Sequence, residues 1–231
     1  MFLPSPYQPV LLRLLHSLNS FLILTALITG FWVYNTYDGR LGKLPLPRLE
    51  GIIDIHGTFG LVFLFVLPIF ALYSFRTGQK RLMQSNSFSQ LAQVNRPVWW
   101  LGLQRITNTG ILLAASLSLL TGRMMKEDWL PDGNLTETWY LLHLTGWVVM
   151  AACLFIHLLT HLKVGGVPLL LSMTSLKVQP EDSLRNSFKK MIGGQRHLQA
   201  NAQARKIFPI KVAEFVVFAS IFSAILLPII Q

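Results

Sequence analysis

Five stretches of this chain, residues 10–34, 52–75, 99–121, 139–162 and 208–230, are dominated by apolar side chains, and each is about as long as the twenty residues a helix needs to cross the hydrocarbon core of a bilayer. That pattern predicts an all-α integral membrane protein. With 52% hydrophobic and only 13% charged residues, the composition excludes an ordinary soluble domain of this length. Polar groups interrupt two of the stretches. Gln104, Arg105 and Asn108 stand near the start of the third, and Lys211 and Glu214 near the start of the fifth, positions from which long side chains snorkel to the interface. The first stretch is too long for a signal peptide, has only Arg13 ahead of its apolar run and lacks a small-residue cleavage site, so it reads as a retained helix.

The connections are turns rather than domains: residues 35–51 contain Asp38, Gly39, Pro45 and Pro47, and the residues after the third stretch include Gly122, Pro131, Asp132 and Gly133. The chain divides into a helical core over residues 8–165, a basic tail over 166–207 and a fifth helix over 208–231. Fifteen of the twenty Lys and Arg fall at Arg13, between Arg76 and Arg105, and between Lys163 and Lys211. The other five, Arg40, Lys43, Arg48, Arg123 and Lys126, lie on the opposite side. This bias puts the amino terminus in the cytoplasm, with the protein in a bacterial inner membrane or an equivalent energy-transducing membrane, and five spans bring the carboxyl terminus out on the other side. The net charge of +10 then reflects topology and anionic lipid, since basic residues divided among loops make a poor nucleic-acid surface. In the tail, Phe188, Met191 and Ile192 set a short apolar face beside Lys189 and Lys190, which suits a surface helix, a lipid-facing segment or a docking arm. His197 reads as a surface residue.

Ionisable groups inside a membrane are costly, so the histidines there are functional candidates by default. His143 and His157 lie fourteen residues apart on the fourth stretch, close to four helical turns, and project from nearly the same face about 21 Å apart. Depth pairs His56 with His143 on the outer side, and His16 with His157 on the inner side. Facing imidazoles are the ligands that a low-spin haem iron takes, and a filled coordination sphere favours electron transfer over oxygen binding. The pattern predicts two haem b groups stacked across the bilayer, with His16, His56, His143 and His157 as axial ligands to the irons. His161, five turns after His143, is not excluded by helical phase as the inner ligand. Gly30, fourteen residues after His16, is a candidate for clearance beside the outer haem, as are Gly60 and Gly146, although small residues also occur wherever membrane helices pack closely. Arg13, three residues before His16, leads the candidates for a haem propionate, with Arg105 and Lys163 on the same side and Arg48 or Arg123 on the other.

Over about residues 8–165 the chain resembles the bacterial di-haem cytochrome b561 family and the related cytochrome b subunits of nickel-iron hydrogenases and formate dehydrogenases. The likeness rests on Arg13-Leu-Leu-His16 followed by Thr29-Gly30, on Asp54-Ile-His56-Gly57, on Thr121-Gly122, and on His143-Leu-Thr-Gly146 through Phe155-Ile-His157. The resemblance implies a four-helix haem-binding core in which the third helix supplies no ligand, and quinone or quinol as the exchange partner. Ser17 stands where many members carry an aromatic residue, and the tail and fifth stretch are additions.

The single Cys153 reads as a small core residue. With no Cys-x-x-Cys-His, covalent haem attachment is excluded, and no paired-cysteine iron–sulfur signature or glycine-rich nucleotide fingerprint occurs. The chain is then an electron-transfer cytochrome, either a quinone-linked oxidoreductase in its own right or the haem subunit of a larger dehydrogenase. Protein partners open at this level are a peripheral redox subunit and a second copy of the chain. The competing class is a haem-free transporter or assembly factor whose histidines line a proton or metal path. Such a path needs polar groups along its length, whereas residues 144–156 are apolar apart from Thr145 and Cys153.

Overall fold

The computed structural model describes residues 7–175, 177–179, 182–193 and 202–230, and among them the extended elements are all helical. Helices α1 (Val10–Tyr37), α2 (Ile52–Arg76), α4 (Pro97–Arg123) and α5 (Thr138–Ser172) form the body, with a short α3 (Ser87–Leu91) in the connection between α2 and α4. They are followed by α6 (Leu184–Gly193) and α7 (Ala202–Ile230). By length and apolarity α1, α2, α5 and the Phe208–Leu227 part of α7 qualify as membrane spans.

The third predicted span, α4, has the length but falls short in apolarity. It starts on Pro97, whose missing N–H is no loss at a first helical position. It tolerates Gln104, Arg105 and Asn108 because protein surrounds it: α2, α3, α5 and α7 all pack against it, so its polar groups find partners. α7 lies along α4 and α2 through a stripe of Ile210, Ala213, Val217, Ile221 and Ala224, spaced three and four apart and all buried. The opposite side of α7 exposes Phe208, Phe215 and Phe222. Lys211 and Glu214, one turn apart, form an ion pair at 2.6 Å.

α5 runs well past the predicted end at residue 162 because apolar residues continue to Leu171, but its axis breaks at Gly166, where φ is 63° and ψ is −169°. Only glycine adopts that conformation without strain, and Pro168 follows. The chain then doubles back beneath α1. The Tyr7 hydroxyl and the Val10 N–H (2.7 Å) both donate to the Asp182 carboxylate, and Arg13 Nη2 donates to the Lys177 carbonyl at 2.7 Å. α6 packs on the same ends of α1 and α2, burying Met191 among Leu11, Leu12, Leu15 and Tyr73. The apolar face expected of this segment is therefore divided, since Met191 turns inward while Phe188 and Ile192 stay exposed. His197 lies outside the described residues.

Ala224 is fully buried against the α2/α4 surface, so Ala224→Leu overpacks that contact. The expected loss is about 1–3 kcal/mol, read as a lowered midpoint of thermal unfolding in detergent.

Candidate functional site

Two histidine pairs stand at opposite ends of the bundle. In the first, His56, on the second turn of α2, faces His143 near the start of α5, with ring centres 6.0 Å apart and planes at 79°. Each ring is held through Nδ1. The Thr29 hydroxyl gives its one proton to the Thr25 carbonyl (2.7 Å), so its oxygen accepts from His56 Nδ1 at 2.9 Å. Thr121 likewise donates to the Leu117 carbonyl (2.9 Å), leaving its oxygen and the Ser118 carbonyl, each 3.0 Å away, to accept from His143 Nδ1.

In the second pair, His16 of α1 and His157 of α5 have ring centres 6.2 Å apart and planes at 27°. His157 Nδ1 donates to Asn108 Oδ1 at 2.8 Å, while Asn108 Nδ2 donates to the Arg81 carbonyl at 2.9 Å. Asn108 thus turns into the protein rather than snorkelling. His16 Nδ1 has only Ser20 Oγ, at 3.3 Å. For His56, His143 and His157 these bonds put the proton on Nδ1, and in all four rings Nε2 is without a protein partner among the described residues. His161 differs. Its Nδ1 donates to the His157 carbonyl at 2.9 Å and its Nε2 accepts from Gln104 Nε2 at 3.0 Å, so both nitrogens are engaged.

A cavity of about 990 Å³ opens beside the first pair. Its wall includes His56, His143, Gly30, Gly60, Gly122 and Trp147. A Cβ on Gly30 would lie 3.1 Å from His56 Cε1 and 3.3 Å from Trp147 Cδ1, and one on Gly122 would lie 3.1 Å from His143 Cε1. Gly60 faces open space, whereas a Cβ on Gly146 would meet Ser118 Oγ at 2.6 Å, so Gly146 serves the close approach of α4 and α5. Trp147 is fixed by its Nε1 bond to the Leu27 carbonyl (3.0 Å) and stacks on Phe31.

Lys43, Arg123 and Lys126 also line this cavity; Arg48 instead lies over the Tyr37 ring, 5.9 Å from its centre. At the other end Arg13 is buried, committed through Nη2 to the tail, with its Nε unpartnered. Lys163 sits over Trp100, and Arg105 donates through Nε to the Lys80 carbonyl at 3.2 Å. Thr29, Thr121, Asn108 and Gln104 are the polar residues whose roles sequence reasoning missed. The signal was present: each is a hydrogen-bonding side chain in an otherwise apolar helix, one or two turns from a neighbouring helix's histidine level.

A family model described as prokaryotic cytochrome b561 matches residues 7–176. No curated protein and no solved structure matches the chain.

Beyond the end of α1, Asp38 braces the loops around the cavity. Arg40 Nε donates to its two oxygens at 2.8 and 2.9 Å, Tyr140 donates at 2.5 Å, and Arg40 Nη2 reaches the Leu135 carbonyl at 2.6 Å. Burial pushes the Asp38 carboxyl up, but the hydrogen bonds from Arg40 and Tyr140 outweigh it and hold the group below the ordinary carboxylate value. A carboxyl with a depressed folded-state pKa adds stability that is complete above its unfolded value, about 4, and is lost as pH falls through the folded value. The expected result is a thermal midpoint that declines below about pH 4, with a smaller decline in Asp38→Asn, measured by unfolding in detergent at stepped pH.

Proposed function

The chain belongs to the prokaryotic cytochrome b561 family, membrane b-type cytochromes of electron transfer that bind haem b, and from that premise we propose that it holds two haems, ligated by His56 with His143 and by His16 with His157, and exchanges electrons with quinone. The observation that carries this reading is the state of the four rings. Each has Nδ1 engaged and, among the described residues, Nε2 without a protein partner, and in His56, His143 and His157 the Nδ1–H donates to a fixed acceptor, the arrangement that orients a metal-ligating imidazole. The spacing fits as well. With metal–imidazole bonds of about 2.0 Å and roughly 1 Å from ring nitrogen to ring centre, two rings sharing one ion have centres roughly 6 Å apart, against 6.0 and 6.2 Å here.

When bound, haem supplies a one-electron couple, its iron's ligand positions filled by the two histidines. The protein's own residues do the rest. Gly30 and Gly122 keep Cβ atoms away from the rings of His56 and His143, leaving the cavity wall flat there. Lys43, Arg123 and Lys126 place positive charge along the cavity for the propionates. Arg13 gives Nη2 to the tail and keeps a buried Nε without a partner, the donor it would offer to a propionate at the other end of the bundle. His157 is the ligand in preference to His161, because His161 has no nitrogen left over. The bias of basic residues supports a cytoplasmic amino terminus, which puts the His56–His143 pair toward the outer surface.

The test is a dithionite-reduced minus oxidised visible spectrum of the purified protein with haem quantified per chain. Two b haems are expected in the wild type and in His161→Ala, and one each in His56→Ala and His157→Ala. Reoxidation of the reduced protein by a short-chain quinone is expected in the same preparation. Absence of stoichiometric haem after expression with ample haem supply would overturn the assignment.

A further inference from the structure

Away from both histidine pairs, the connection between α2 and α4 folds back against α4 and leaves a hollow of about 230 Å³ lined by Lys80, Gln84, Ser85, Asn86 and Arg105. From Arg76 to Arg105 the chain carries five cations and no Asp or Glu. Among the described residues neither Lys80 nor Arg105 has an acidic partner. The hollow is held in shape by bonds that do not use its lining charges up: Arg105 Nε to the Lys80 carbonyl (3.2 Å), Met83 N–H to Thr109 Oγ1 (2.8 Å), and the Gln84 amide to the Gln79 and Leu82 carbonyls (2.9 and 3.1 Å). This leaves the rest of the Arg105 guanidinium, the Lys80 ammonium, and the Ser85 and Asn86 side chains as donors around a space with no protein anion in it.

We propose that this hollow binds a phosphate group. A guanidinium and an ammonium flanked by hydroxyl and amide donors match the charge and oxygen lone pairs of a phosphate ester, whereas the missing carboxylates make it a poor cation site. The group arrives either on an anionic phospholipid or as free phosphate. Position connects it to lipid: it lies between the end of one spanning helix and the start of α4, whose first turn carries Trp99 and Trp100, side chains that favour headgroup depth.

The haem-loaded full chain in detergent is examined by native mass spectrometry after incubation with phosphatidylglycerol or with phosphatidylcholine of the same acyl chains, and by calorimetric titration with potassium phosphate against potassium chloride. One phosphatidylglycerol held per chain in preference to phosphatidylcholine assigns the lipid source, and one phosphate bound per chain in the titration assigns the free anion. Either is expected to weaken at least about tenfold in the Lys80→Gln, Arg105→Gln double variant, which removes two charge-assisted contacts. Ser85→Asp puts a negative charge in the hollow without touching the bonds that shape it, and is expected to have the same effect should the double variant fail to fold. The Arg76→Gln, Arg96→Gln pair removes as much charge from the same connection outside the hollow and is expected to bind as the wild type does. Absence of one-to-one binding with both probes, or an equal loss in the Arg76→Gln, Arg96→Gln pair, would overturn the site.

Discussion

The bundle rests on hydrogen bonds that reach from one helix to a histidine on another. In hydrocarbon each helix satisfies its own backbone, so what fixes one spanning helix relative to the next is side-chain packing and the few polar groups that cannot be left unpaired. Thr29 of α1 holds His56 of α2; Thr121 and Asn108 of α4 hold His143 and His157 of α5. Removing such a partner would leave a buried ring nitrogen without its bond and also free the ring to rotate. The bonds that stabilise the helix contacts are thus the same ones that set the direction of each imidazole.

α4 is the clearest case. It brings no histidine, is too polar to qualify as a span by apolarity, and yet touches most of the other helices. Its polar residues are arranged along its length according to the histidines of α5: Thr121 and the Ser118 carbonyl at one end, Asn108 and Gln104 toward the other. A helix of this kind works as a rack, positioning groups it does not itself supply. The added α7 covers another side of it, with small and branched side chains that allow close approach.

Much of this was legible in the sequence, for a physical reason. Apolar length gives the helices, and the regular rise of a helix turns the numbering of His16, His56, His143 and His157 into depth, so that neighbours across the bundle follow. Rotation about the helix axis and side-chain conformation do not follow from depth. That is why Asn108 looked like an interruption of an apolar run and is instead a histidine's partner, and why Gly146, grouped with Gly30, packs against Ser118. The tail was the least legible part. A short amphipathic segment states that it has an apolar face but not which surface meets it, and here Met191 and its neighbours Phe188 and Ile192 part company.

The clasp between the two ends of the described core has a consequence for the order of assembly. Val10 and Arg13 belong to α1, but their partners, Asp182 and Lys177, come more than 160 residues later, beyond the region that matches the family model. During synthesis, which proceeds from the amino terminus, α1 enters the membrane with a cationic side chain whose eventual acceptor has not yet been translated. The contacts of α1 are therefore not complete until α5 has been made. The burial of Arg13 therefore reports that the chain has passed the bend at Gly166 and returned to α1.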